Sequence, residues 1–181
     1  MPAVESSERS FDVEADEMHL VCFDVGSACV AFDVAHVREV VRSRPTAPLP
    51  GAPDPIEGVI ELRDALVPVL DLGPVLAEAS VDASDSRSRI AIVEWQGLVA
   101  GLRVSAASDV LCVRAADVEA PPALVVRAGS EAVRSVLRRK EGPPVLVLSL
   151  AQILSRLAPG LDDAPGDGHD DPGAAAPGAA R

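Results

Sequence analysis

Hydrophobic and polar positions alternate along most of this chain, in two successive blocks. In the first block Val21, Phe23 and Val25 are separated by Cys22 and Asp24, which predicts a half-buried strand. Gly26 and Ser27 make a turn, and Ala28, Val30, Phe32 and Val34 continue the alternation on a return strand. A two-residue turn sets Phe23 opposite Val30, so both apolar sets share one face. One helical turn over residues 35–39 and a strand over 40–42 follow. Residues 42–55 are rich in proline and must be extended or turning.

Residues 58–72, GVIELRDALVPVLDL, organise this block. Two apolar runs, 59–62 and 65–70, are joined by Arg63 and Asp64 alone, which predicts a tight hairpin. In that register Leu62 faces Ala65, Ile60 faces Val67, and an arginine stands at the tip. Gly58 is expected to stop the short segment 53–57. A short helix over 72–78 and a polar loop over 80–88 complete the block.

The pattern then restarts. At an offset of 70, Leu20, Cys22, Phe23 and Asp24 match Ile90, Ile92, Val93 and Glu94. Phe32, Glu39 and Val40 match Leu102, Asp109 and Val110. At an offset of 78, Val67, Val69, Leu70 and Leu72 match Val145, Val147, Leu148 and Leu150. Residues 131–139, EAVRSVLRR, carry helical spacing, but the repeat aligns them with the strand 59–62, and a strand is expected. Residues 152–157 should be helical. Each unit offers about five short strands, and a small sheet of that kind is best closed into a barrel, which removes its edges. The expected class is all-β: two barrels side by side, the first over about 18–80 and the second over about 89–157.

Composition refines this picture. Apolar residues make up 48% of the 181 and aromatics only 2%, so the core must be Val, Leu, Ile and Ala. The net charge is −12, and much of it lies at the ends. Residues 1–17 and 158–181 are acidic, lack apolar period and are expected to be disordered tails. The acidic balance and the scarcity of aromatics argue against a nucleic-acid partner, or an oligosaccharide bound in a small barrel. No signal peptide and no apolar stretch of spanning length is seen, so a cytoplasmic protein without membrane insertion is expected. Cys22, Cys29 and Cys112 read as buried thiols rather than disulfides or metal ligands. His19, His36 and His169 have no Cys or His at ligand spacing. There is no phosphate loop and no nucleophile elbow, and Asp24 and Asp33 read as solvated carboxylates. No catalytic, cofactor or metal site is therefore expected. The charges at Arg38, Glu39, Arg42 and Arg44, with prolines and apolar residues nearby, leave room for a protein-binding face.

Several segments together resemble the CheW-like family, the bacterial chemotaxis coupling proteins. They are VREVV at 37–41, Pro48, Pro50 and Pro53, then Ile56, Gly58, Leu62 and Arg63, and VPVLDL at 67–72. SDVL at 108–111 and VLVLSL at 145–150 add to them. The likeness covers about residues 18–157. It implies two pseudo-symmetric five-stranded SH3-like β-barrels, no catalysis and no cofactor. It implies an adaptor between methyl-accepting chemoreceptors and a histidine autokinase whose regulatory domain is also CheW-like, recruited to membrane receptor clusters. By the same resemblance the receptor tip meets Val37, Glu39, Arg63 and Val110, and the kinase meets the region of Ile56 and Gly58. The tip departs from the family's Asn-Leu-Arg-Gly: it reads Glu61-Leu62-Arg63-Asp64, and the two added carboxylates are placed to restrain Arg63. A divergent scaffold that binds only one of the two partners is the alternative.

Overall fold

The repeat in the sequence is a repeat of strand order. In the computed structural model, which describes residues 17–122 and 131–155, the first unit contains β1 (Glu17–Val25), β2 (Ala28–Asp33), β3 (Val37–Arg42), β4 (Ile56–Leu62), β5 (Ala65–Asp71) and α1 (Leu72–Val75). The second contains β6 (Arg89–Trp95), β7 (Leu98–Val104), β8 (Ala106–Arg114), β9 (Val118–Glu119), β10 (Val133–Leu137), β11 (Val145–Leu148) and α2 (Leu150–Leu154). They form a six-stranded sheet, β8-β1-β2-β11-β10-β9, and a five-stranded sheet, β3-β6-β7-β5-β4. The sixth strand of the larger sheet has a counterpart in the smaller one: Ala47 makes a single antiparallel bridge to Val59 of β4.

The division into contiguous barrels, 18–80 and 89–157, does not describe these sheets. Each unit lends its first hairpin to the other. The β1–β2 hairpin stands between β8 and β11, and the β6–β7 hairpin stands between β3 and β5. The reason is that these hairpins are apolar on both faces. Leu20, Cys22, Cys29 and Ala31 are buried on one face of β1–β2, and Phe23, Val25, Val30 and Phe32 on the other. A strand pair buried on both sides needs neighbours at both edges and cover over both faces. Alternation alone gives these strands one buried face; the small apolar residues Cys22 of β1 and Ala31 of β2 bury the other.

Three apolar clusters result. Leu20, Cys22, Cys29, Ala31, Leu137, Val145 and Val147 fill the inside of the larger sheet, with Leu111, Val113 and Val118 against them. Ile60, Val67, Val69, Ile90 and Ile92 fill the smaller, closed over by Val41, Leu62 and Val99. All the strands of a sheet thus reach one centre, as barrel closure requires. The largest cluster lies between the barrels and includes Phe23, Phe32, Leu70, Leu102, Ile153 and Leu154. Phe23 and Phe32 meet there with ring centroids 6.2 Å apart.

Local expectations fare unevenly. Phe23 pairs with Val30, Leu62 with Ala65 and Ile60 with Val67, in the registers deduced from alternation. Residues 133–137 are a strand despite their helical spacing, because β10 takes the place that β4 holds in the other sheet. The turn after β2 is shorter than expected, a 3-10 turn over Val34–His36, and β3 begins at Val37. β1 begins at Glu17, inside the stretch assigned to the N-terminal tail. α2 starts at Leu150 because Ser149 caps it, accepting from Gln152 N at 3.4 Å, and residues 156–157 of the expected helix lie outside the described residues. The tails over 1–16 and 158–181 lie outside them as well. Cys22 and Cys29 are buried as expected, but Cys112 is exposed on the outer side of the edge strand β8.

Candidate functional site

The β4–β5 hairpin ends in two residues of left-handed backbone, Arg63 at φ 50° and Asp64 at φ 65°. That conformation gives the twist a two-residue hairpin needs, and Asn-Gly adopts it at least cost. Asp accepts it fairly well; an arginine there is strained by about 1 kcal/mol or more. Its place at the tip of the turn leaves the Arg63 side chain 79% exposed. Its Nη2 donates to Glu39 Oε2 at 3.1 Å. Neither Glu61 nor Asp64 takes the role foreseen for it; the partner comes from β3, on the opposite edge of the five-stranded sheet. The sheet therefore curls far enough for its two edge strands to meet through this pair. An exposed pair of this kind is worth about 0–1 kcal/mol, so it orients the guanidinium without locking it.

Val37 lies on the same strand as Glu39. A register shift between them tucks Val37 against the cluster between the barrels. On the outer side of β3, Arg38 pairs with Glu94 of β6, and Val40 is exposed. Val110 is 61% exposed on β8, opposite Val21 of β1, and so belongs to the other sheet. The fold thus joins Glu39 and Arg63 directly, sets Val37 beside them, and places Val110 at the position equivalent to Val40.

Ile56 and Gly58 lie on β4. Ile56 is half-buried against the central cluster. Gly58 does not stop a helical segment; it sits within the strand at φ 152°, a backbone that favours glycine. A Cβ there would come within 2.3 Å of Ala47 O. Its role is to let residues 43–55 lie down on β4, where Ala47 and Val59 exchange hydrogen bonds of 2.8 and 2.9 Å. What that region offers outward is the loop itself, with Leu49 exposed.

A residue that sequence reasoning passed over fastens this loop. Arg103 of β7 is buried, and its Nε donates to Glu57 Oε2 at 2.6 Å. The same guanidinium donates to Ser43 Oγ and to Arg44 O. One buried cation thereby ties the start of the loop to β4 and β7. Removing its carboxylate would strand a buried charge, which is far more costly than the pair is stabilising. Only Arg103's position inside the apolar run LVAGLRV hinted at burial; its partner lies 46 residues earlier.

Two further motif residues act structurally. Asp71, buried, accepts from Gly73 N at 2.9 Å and Val81 N at 3.0 Å, capping α1 and holding the start of the polar loop. Asp33 accepts from Ala35 N and caps the 3-10 turn. Burial pushes the Cys22 thiol up to about 11 and raises that of Cys29, so neither is a ready nucleophile. The hairpin tip presents an exposed guanidinium held by one carboxylate, with Val40 exposed further along β3.

Comparison with known proteins bears on this geometry. The family model of the CheW-like domain matches residues 19–158. The chemotaxis protein CheW of Treponema pallidum is 27% identical over 130 residues, covering 70% of this chain and 76% of that protein. The chemotaxis protein CheW of Rhizobium meliloti is 36% identical over 107 residues, covering 57% of this chain and 66% of its own length. Among solved structures, the scaffolding protein TtCheW from Thermoanaerobacter tengcongensis superposes with a TM-score of 0.66 at 29% identity, over 74% of this chain and 89% of that one.

Proposed function

This chain belongs to the CheW-like family, and from that membership we propose that it is a non-catalytic adaptor coupling chemoreceptors to a chemotaxis-type histidine autokinase. The observation that carries the reading is the Arg63–Glu39 pair. Two residues 24 positions apart, both matched to the family's receptor-facing positions, meet on one exposed face. Arginine is a poor choice for a left-handed tip if only stability counts, and strain at an exposed position favours a role in binding. Guanidinium groups are frequent hot spots because they make several hydrogen bonds in one plane.

In this reading Arg63, Glu39 and Val37 meet the receptor tip, with Val110 contributing from the second barrel. The kinase regulatory domain meets the loop over 43–55 that Gly58 and Arg103 hold on β4, near Ile56. Among the described residues no helix is long and apolar enough to cross a membrane. Recruitment to receptor clusters would then come through these contacts.

The test is a pair of titrations, one with a receptor cytoplasmic fragment and one with the kinase regulatory domain. Arg63→Ala should leave folding unchanged and weaken receptor binding by about 2 kcal/mol or more, roughly thirtyfold. Kinase binding should change little. Equal receptor affinity for folded Arg63→Ala and the parent would remove the receptor assignment and favour a scaffold that binds one partner only.

A further inference from the structure

The outer face of the β1–β8 pair carries a set of side chains that the adaptor reading does not use. Antiparallel pairing places His19 of β1 directly opposite Cys112 of β8. Glu17, two residues before His19, falls on the same face because side chains alternate along a strand. The ligand atoms of Glu17, His19 and Cys112 all lie within 4.8 Å of one another, and all three residues are exposed. The Cys112 thiol already donates to Glu17 Oε2 at 3.4 Å. These residues are 95 positions apart at their extremes, so no spacing motif could have disclosed them.

We propose that Glu17, His19 and Cys112 form a Zn(II) site on this face. One thiolate, one imidazole and one carboxylate make a three-ligand set of the borderline-soft kind that zinc favours, with the fourth tetrahedral position left for water. A metal with bonds of about 2.0–2.3 Å to each ligand fits donors that are within a few ångströms of each other before it arrives. Glu17 and Cys112 also line an open groove of about 630 Å³, which leaves room for that water or for a small exchangeable ligand. Binding replaces the S–H bond of Cys112 by an S–Zn bond and releases the proton to solvent; nothing is oxidised or reduced. Arg114, the register partner of Glu17, is hydrogen-bonded to Asp117 at 3.2 Å, which offsets its charge. The metal would fasten the start of β1 to the edge strand β8, two residues from Val110.

The full chain, free of any affinity tag and with thiols reduced, is titrated with Co(II) as a spectroscopic stand-in. A thiolate-to-cobalt charge-transfer band should grow to one equivalent and be displaced by Zn(II). Cys112→Ser and His19→Ala should abolish it. Glu17→Gln should cost at least the tenfold or so in affinity that even an outer-shell partner costs. As a second readout, Zn(II) should protect Cys112 from alkylation in the native parent protein, where Cys22 and Cys29 are buried. Absence of the band in the parent, its persistence in Cys112→Ser or His19→Ala, or alkylation at the same rate with and without Zn(II) would overturn the site.

Discussion

Exchange of hairpins between the two units makes a strong prediction about the chain cut in half. The cut is placed in the polar loop between Ser84 and Asp85, which leaves β1–β5 and α1 in one piece and β6–β11 and α2 in the other. The first piece then loses β6 and β7 from the middle of the five-stranded sheet, and both neighbours of the β1–β2 hairpin. Its interior cluster keeps Ile60, Val67 and Val69 but loses Ile90 and Ile92, and the three that remain are opened to water. Exposing those three side chains at roughly 1.5–3 kcal/mol each comes to about 5–9 kcal/mol. A whole domain is stable by only about 5–15 kcal/mol, so that loss, with the β1–β2 hairpin stripped of both neighbours, unfolds the piece. Each half alone should show a disordered far-ultraviolet circular dichroism spectrum and no cooperative melt. Mixed at equal concentration they should recover the β spectrum, with a midpoint that rises with concentration. A cooperative melt from either isolated half would refute the exchange and restore two contiguous barrels.

Two further predictions concern single residues. Phe32→Ala should cost roughly 3–5 kcal/mol in urea unfolding, because Phe32 is fully buried against Phe23 between the barrels; a cost near zero would displace that hairpin's register. Asp71→Ala should cost about 2–3 kcal/mol, one cap plus one buried N–H left unpaired, and Asp71→Ser about half of that, because Ser149 shows that serine can cap the equivalent helix but its short side chain would not reach Val81; no cost for Asp71→Ser would mean that the Val81 contact contributes nothing.

What was legible in the sequence followed from alternation. Strand pairs joined by two-residue turns declare their own register, which is why Phe23 found Val30 and Leu62 found Ala65. The repeat was legible too, and it overruled the helical spacing of residues 133–137 correctly. Strand neighbours far apart in sequence were not legible. Alternation says which face is buried, but the backbone groups at a strand's edge are the same for every partner. Small apolar residues such as Cys22 and Ala31 on the supposedly polar face were the one local sign that β1 and β2 are covered on both sides. Of the candidate site, Arg63 and Glu39 were named through resemblance, yet their direct contact, the buried Arg103–Glu57 pair and the approach of His19 to Cys112 all depend on the folded arrangement.

The pseudo-symmetry of the fold is sharpest in its core and weakest at the candidate face. Core positions repeat as like for like: Val67, Val69 and Leu70 recur as Val145, Val147 and Leu148, all buried. Cap positions repeat as equivalents, Asp71 recurring as Ser149. The exposed Val40 recurs as Val110. Among the described residues the Arg63–Glu39 pair has no counterpart on Asp109. Glu39 recurs as Asp109, but the two-residue Arg63–Asp64 turn is replaced by the longer connection 138–144 between β10 and β11, which has no residue in register with Arg63. A packing demand acts equally on both copies and keeps them alike; a binding demand acts on one copy and lets the other drift. The change of turn in one unit alone, with like cores in both, therefore marks the β4–β5 tip as a place where this fold departs from symmetry. A partner that read the two barrels would meet a tight arginine turn on one and a longer connection on the other, so the receptor contact proposed at Arg63 would have one orientation.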